Sequence, residues 1–161
     1  MASNTRITRT VLLVEDHETT RITLAGVIER ESCKVTAVAS GGAAREKLRE
    51  EEFDLVITDL RLPDADGMEI LEEAKRLSAG TPVIIITGYG SEDTAVQAMK
   101  KGAFNYLSKP IDLNRLRAEL ESALRWRRVQ VEHAELQAEL LTRRRGDSDL
   151  VGVSAALQKI K

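Results

Sequence analysis

The polar residues of this chain that could work together chemically are three carboxylates, a hydroxyl and an ammonium. Glu15 and Asp16 close the apolar run at 11–14, Asp59 closes 55–58, Thr87 closes 83–86, and Lys109-Pro110 closes 104–108. A carboxylate such as Asp59 can attack a phosphoryl group and form an acyl phosphate. It needs help, because an anion approaching an anionic donor is repelled. Glu15, Asp16 and Asp59 can together hold Mg²⁺, a hard ion that takes oxygen ligands and keeps several waters. Such an ion neutralises both nucleophile and phosphoryl oxygens. Lys109 adds a fixed positive charge and Thr87 a hydroxyl donor.

These residues meet only if the runs before them are parallel strands, whose following residues gather at one sheet edge. Each piece alone is an ordinary loop start, cap or dipeptide. Their coincidence at four strand ends is what carries the reading. The predicted strands lie at about 10–14, 34–38, 54–58, 83–86 and 104–107, and helical patterns separate them. The first helix, about 18–31, carries Ile22, Ala25 and Ile28 on one stripe, and Gly41-Gly42 opens a second with Ala44 and Leu48 inward. Asp66 with Glu69 three residues later fits a capping box, followed by a buried face of Ile70, Leu71, Ala74 and Leu77. Ser91 can cap a helix holding Ala95, Val96, Ala98 and Met99 and stopped by Gly102, and Asp112 can cap the last helix. Continuous apolar runs alternating with helices predict an α/β fold, a parallel sheet covered on both faces.

The last helical pattern runs on from Asp112 to about Arg145 without Gly or Pro. That length, about 50 Å at the usual helical rise, exceeds what a small domain needs. Leu113, Leu116, Leu120 and Leu124 suit packing against the sheet. Beyond them, two stripes compete as a coiled-coil seam: Leu124, Val131, Ala134, Ala138 and Leu141, or Trp126, Val129, His133, Leu136 and Leu140. A dimerising linker over 126–146 is the expectation, with Gly146 to Asp149 breaking the helix. The arginines at 125, 127–128 and 143–145 read as a solvated face that complements the helix dipole and nearby glutamates.

Bulk composition narrows the function classes. The 161 residues are 42% hydrophobic and 31% charged, enough for one domain with a core and something extra. A net charge of -2 and 3% aromatic content argue against a nucleic-acid binder, and no helix-turn-helix pattern is left over to contact DNA. The single Cys33 reads as a small buried apolar residue. No stretch approaches the about 18 apolar residues of a membrane span. Cytoplasm is the expected location, no membrane contact is expected, and residues 1–9, polar and aperiodic, are expected to be disordered.

The sequence resembles the receiver domain of two-component response regulators over about residues 10–125. The matching pieces are Val-Leu-Leu-Val-Glu-Asp at 11–16, Asp-Leu-Val-Ile-Thr-Asp-Leu-Arg-Leu-Pro at 54–63, and Asp66-Gly67. Thr87-Gly88-Tyr89-Gly90, Gly102-Ala103 and Tyr106-Leu107-Ser108-Lys109-Pro110 complete the set. The resemblance implies a flavodoxin-like five-stranded parallel sheet of order 2-1-3-4-5 with five helices, the last extended as a linker. It implies that Asp59 accepts phosphate from a sensor histidine kinase. Mg²⁺ would sit on Asp16, Asp59 and the Arg61 backbone carbonyl, with Glu15 acting through water or secondary contacts. Thr87 and Tyr106 would be the switch pair, and the bond before Pro110 would be cis. Glu15 departs from the aspartate that many receivers carry there.

Residues 149–160 resemble the opening of the AAA+ ATPase domain of NtrC-type sigma-54-dependent activators, so 147–161 reads as the start of a truncated domain. No Gly-rich phosphate loop follows, and ATP hydrolysis is not expected of this chain. The implied partners are the chain's own AAA+ domain and sigma-54 RNA polymerase, with a homodimer through the fourth helix, fifth strand, fifth helix and linker. The expected function is a phosphorylation-dependent switch rather than an enzyme. Two alternatives are a stand-alone phosphorelay receiver and a haloacid-dehalogenase-like phosphatase. The latter wants an acid two residues after its nucleophile, where Arg61 stands. Bulky Arg61 and Tyr89 would shield an acyl phosphate from water, which predicts slow self-dephosphorylation. Phosphoryl half-lives measured for Arg61→Ala and Tyr89→Ala should be shorter than for the parent, and unchanged values would refute the shielding.

Overall fold

The computed structural model describes residues 8–88 and 92–151. Its strands are β1 (Arg9–Val14), β2 (Cys33–Val38), β3 (Leu55–Asp59), β4 (Val83–Thr87) and β5 (Asn105–Ser108). Its helices are α1 (Glu18–Arg30), α2 (Gly41–Glu50), α3 (Gly67–Leu77), α4 (Glu92–Lys100) and α5 (Leu113–Val151). All the pairings are parallel, in the order β2-β1-β3-β4-β5. The flavodoxin-like order implied by the resemblance is the one observed.

Alternate residues of the central strands feed two cores. Val11, Leu13, Leu55, Ile57, Ile84 and Ile86 pack with Leu24, Val27 and Ile28 of α1 and with Leu116, Leu120, Ala123 and Leu124 of α5. Leu12, Val14, Val56, Val83 and Ile85 pack with Ala44, Ile70, Leu71, Ala74 and Ala98 from the other three helices. Burial on both faces is why these strands read as unbroken apolar runs. Cys33 is buried at the start of β2, and burial pushes its thiol pKa up.

The helix faces differ from the expected stripes at their margins. Ile22, assigned to the buried stripe of α1, is 63% exposed. It lies two residues, about 200° of helical rotation, from Leu24, which does face the sheet. Leu77, Val96 and Met99 are also exposed, because a short helix on a twisted sheet buries a narrower arc than its apolar residues span, and Leu113, the first residue of α5, is exposed as well. The capping box is half formed: Asp66 accepts from Met68 N at 2.7 Å, but Glu69 pairs with Arg45 of α2 at 2.6 Å instead of folding back. Asp112 does cap α5, accepting from Asn114 N at 2.9 Å. Ser91 lies outside the described residues.

The chain divides into two compact units at Arg127–Arg128, within the span of α5. In the first, Trp126 packs against Phe104 with ring centroids 6.1 Å apart, and Lys75 Nζ lies 5.3 Å from the indole centroid. Arg127, expected on a solvated face, is buried and donates to Glu52 at 2.6 Å and Asp54 at 3.3 Å. The hydrogen bond from Arg127 holds the Glu52 carboxyl below its usual pKa, against a burial effect of opposite sign. Leu124 and Trp126, the first members of the two candidate seams, are thus committed to packing in the first unit. In the second unit Val129, Leu136, Leu140 and Leu141 are exposed. The break expected at 146–149 does not occur, since α5 is continuous to Val151. One Gly costs a helix only about 1 kcal/mol relative to Ala, which its neighbours can absorb. Among the described residues, no helix is long and apolar enough to cross a membrane.

Gly67 couples the fold to the end of β3. Its N–H donates to Leu60 O at 2.6 Å, and a Cβ there would collide with the Asp59 carbonyl oxygen and come within 2.8 Å of Leu60 Cα. Those obstacles are backbone atoms, which cannot swing aside. Gly67→Ala should cost about 1–3 kcal/mol, the range for overpacking a tight site. Urea unfolding should show a lower midpoint at unchanged slope.

Candidate functional site

Parallel pairing brings the four predicted strand ends to one edge. Glu15 continues the β1 ladder, its N–H donating to Val38 O at 3.0 Å. Asp59 is the last residue of β3, and Thr87 the last of β4. Lys109 N donates to Thr87 O at 2.8 Å, and the Lys109-Pro110 peptide bond is cis. Glu15, Asp59 and Thr87 are buried, while Asp16 and Lys109 reach the rim with about a quarter of their side chains exposed.

Lys109 is the junction. Its Nζ lies 2.8 Å from Asp59 Oδ2 and 3.0 Å from Glu15 Oε1. Asp59 Oδ1 accepts from Arg61 N at 3.3 Å. Burial on its own would lower the Lys109 pKa, but hydrogen bonds to Asp59 and Glu15 and the charge of both carboxylates outweigh it, so the net shift is upward. The ammonium is therefore a fixed charge. Above Asp59 opens a cleft of about 460 Å³, rimmed by Asp16, His17, Arg61, Gly88 and Lys109.

The donor set fits a hard divalent cation. Glu15, Asp16, His17 and Asp59 each present one ligand atom, and these atoms all lie within 4.8 Å of one another. Of the three carboxylates, Glu15 and Asp59 share the Lys109 ammonium. Asp16 Oδ1 is buried without a hydrogen bond, and Glu15 Oε1 has its ion pair to Lys109 but no hydrogen bond of good geometry. Buried oxygens left in that state call for a counter-ion. Receiver domains generally bind Mg²⁺ at an acidic pocket, and this cluster is of that kind.

Sequence reasoning passed over His17. It directly follows Glu15-Asp16, but a polar residue opening a helix reads as a cap. It occupies the N-cap position of α1 yet makes no side-chain cap bond; its Nδ1 lies 3.2 Å from Glu15 Oε2.

Thr87 and Tyr106 share one face of the sheet. Tyr106 sits opposite Ile85 in register, two residues before the Thr87–Ser108 pair, and packs with Ile85 in the same core. The Tyr106 ring is half-buried, and burial raises its pKa. Its hydroxyl is buried without a hydrogen bond among the described residues. Tyr89, the second shielding residue inferred from sequence, lies outside the described residues.

The model of the response regulator receiver domain matches residues 11–121. The chain belongs to the response regulator receiver family. It is 42% identical over 130 residues to the response regulator protein PilR of Pseudomonas aeruginosa, covering 81% of this chain and 29% of PilR. It is 41% identical over 114 residues to the transcriptional regulatory protein ZraR of Escherichia coli, covering 71% of this chain and 26% of ZraR. The chain thus spans less than a third of either relative. The beryllofluoride-activated NtrC4 receiver domain dimer superposes at a TM-score of 0.70, with 34% identity over 73% of this chain and 98% of that one. A receiver is a regulatory rather than a catalytic domain.

Lys109→Met would leave two buried carboxylates facing one another. Without divalent cations it should cost about 3 kcal/mol, the low end for removing one partner of a buried pair. Thermal unfolding with and without Mg²⁺ checks this: the ion should recover part of the loss.

Proposed function

We propose that this receiver takes a phosphoryl group from a sensor histidine kinase onto Asp59, and that the modified state rearranges receiver pairing to control an attached AAA+ module of a sigma-54-dependent activator. The observation that carries the reading is the Lys109 ammonium held 2.8 Å from the buried Asp59 carboxylate, at the floor of an open cleft. In this reading an Asp59 oxygen attacks phosphorus as the donor's P–N bond breaks. The imidazole nitrogen keeps that electron pair and takes up a proton. Lys109 then pairs with one phosphoryl oxygen, and the Thr87 hydroxyl donates to another. Asp16, Asp59 and the Arg61 backbone carbonyl would hold Mg²⁺, with Glu15 acting through water, and the ion would supply charge neutralisation.

The modification becomes a signal through Thr87 and Tyr106. Drawing Thr87 toward the phosphoryl group opens space on the sheet face it shares with Tyr106, and the ring moves to fill it. That is a population shift driven by a modification with different affinity for two states. The surface of α4, β5 and the start of α5 changes shape with it. Val96, Met99 and Leu113 are exposed there, which supports a homodimer through this face. Exposed Val129, Leu136 and Leu140 support continued pairing along a linker over 126–146. The receiver domain proper would span 10–125. The greater length of PilR and ZraR supports an attached module rather than a stand-alone phosphorelay receiver. Its proposed opening, residues 147–161, lies mostly outside the described residues. The cytoplasm, where a histidine kinase presents its phosphate, is the proposed location.

Incubation with acetyl phosphate and Mg²⁺ tests the reading. Mass spectrometry should find one phosphoryl group on Asp59, and none on Asp59→Asn. Light scattering with and without beryllofluoride should show a change of assembly state. A monomer under both conditions would remove the dimer part, and label on another residue would remove the whole.

A further inference from the structure

We infer that His17 is a nitrogen ligand of the receiver's cation site, raising its affinity for borderline divalent ions such as Zn²⁺ and Co²⁺ without raising that for Mg²⁺. This rests on the cation-site reading above and goes beyond it.

His17 Nδ1 lies 3.2 Å from Glu15 Oε2 and 3.4 Å from Asp16 Oδ1. It belongs to the four-atom set confined within 4.8 Å, together with Asp59. The imidazole is not needed for local structure. The first turn of α1 takes no cap bond from it, and Glu15 Oε2 already accepts from the His17 backbone N–H at 3.1 Å. The ring is 70% exposed at the cleft rim with its Nδ1 turned to Glu15, while Asp59 is held at the end of β3. One of the oxygens nearest the ring, Asp16 Oδ1, is buried and lacks a hydrogen bond. Arg21 Nη1, donating to Glu15 O at 3.0 Å, steadies the turn from which His17 projects.

Ligand chemistry supplies the selectivity. Mg²⁺ takes oxygen ligands and water, so an imidazole at the rim gives it little. Zn²⁺ and Co²⁺ accept imidazole nitrogen readily and bind mixed nitrogen and oxygen sites more tightly than oxygen sites alone. A borderline ion on His17 would share Asp16 and Asp59 with Mg²⁺, so the two compete. The site would then report the balance of the two kinds of ion as well as the phosphoryl donor.

The test uses the full chain, with Co²⁺ absorption and calorimetric titration of Co²⁺, Zn²⁺ and Mg²⁺ in place of activity. Losing an imidazole ligand should cost at least as much as losing an outer-shell partner, about tenfold or more. His17→Gln should therefore weaken Co²⁺ and Zn²⁺ by that factor and shift the Co²⁺ ligand-field bands. Mg²⁺ affinity should stay within about twofold, since its ligands are oxygens. His133→Ala, which removes the chain's other imidazole, should leave all three ions unaffected. Co²⁺ binding unchanged in His17→Gln would overturn the inference. So would an equal loss of Mg²⁺ and Co²⁺, which would make His17 a positioning residue for Glu15. Asp16→Asn separates the two readings: Mg²⁺ affinity that survives it sinks the underlying cation site, whereas Mg²⁺ affinity that it removes leaves any failure to His17 alone.

Discussion

An excess of negative charge at one edge of the sheet is the constraint around which this domain is arranged. Glu15 and Asp59 are buried, Asp16 lies beside them, and the Lys109 ammonium contacts the first two. Left to themselves such groups would repel or take up protons. Here Lys109 holds two of them through direct contacts, and their charge in turn raises its pKa despite burial. Carboxylate oxygens gathered in this way are the ligand type a hard divalent cation takes.

The rest of the fold keeps this edge in place. The strands are buried on both faces, so their register is fixed by side chains that have nowhere else to go. Asp59 ends β3 one residue past the Val14–Thr58 pair, and Thr87 ends β4 opposite Ser108, one residue before Lys109. Gly67 brings the start of α3 against the Asp59 carbonyl, where no side chain fits. At the other end of the strands, Arg127 binds Glu52 and Asp54 just ahead of β3 and anchors α5 where the first compact unit ends. Fixed backbone thus surrounds a charged, open cleft at Asp59, with Thr87 and Tyr106 on one face of the sheet beside it.

Much of this was legible in the residues themselves. Four apolar runs of strand length, each ending in polar residues and separated by helical patterns, pointed to a parallel sheet, and the residues after them suggested a phosphoryl site. The helix margins were less legible. Ile22, Leu77, Val96 and Met99 have the right hydrophobicity and nearly the right period, but sheet twist and helix length decide which arc is covered. Arg127 was misread for a related reason. An arginine among arginines on a helix looks solvated until tertiary folding brings Glu52 and Asp54 beside it.

The sequence by itself determined the fold class and which polar residues follow the strands, because these depend on residue type and on strand periodicity, both local properties. Only the tertiary structure decided that one ammonium bridges Glu15 and Asp59, that His17 turns toward the carboxylates, and that α5 continues past Gly146. The first depends on segments tens of residues apart, the second on a side-chain rotamer, and the third on the balance of one weak local cost against its neighbours. Spacing along the chain encodes none of them.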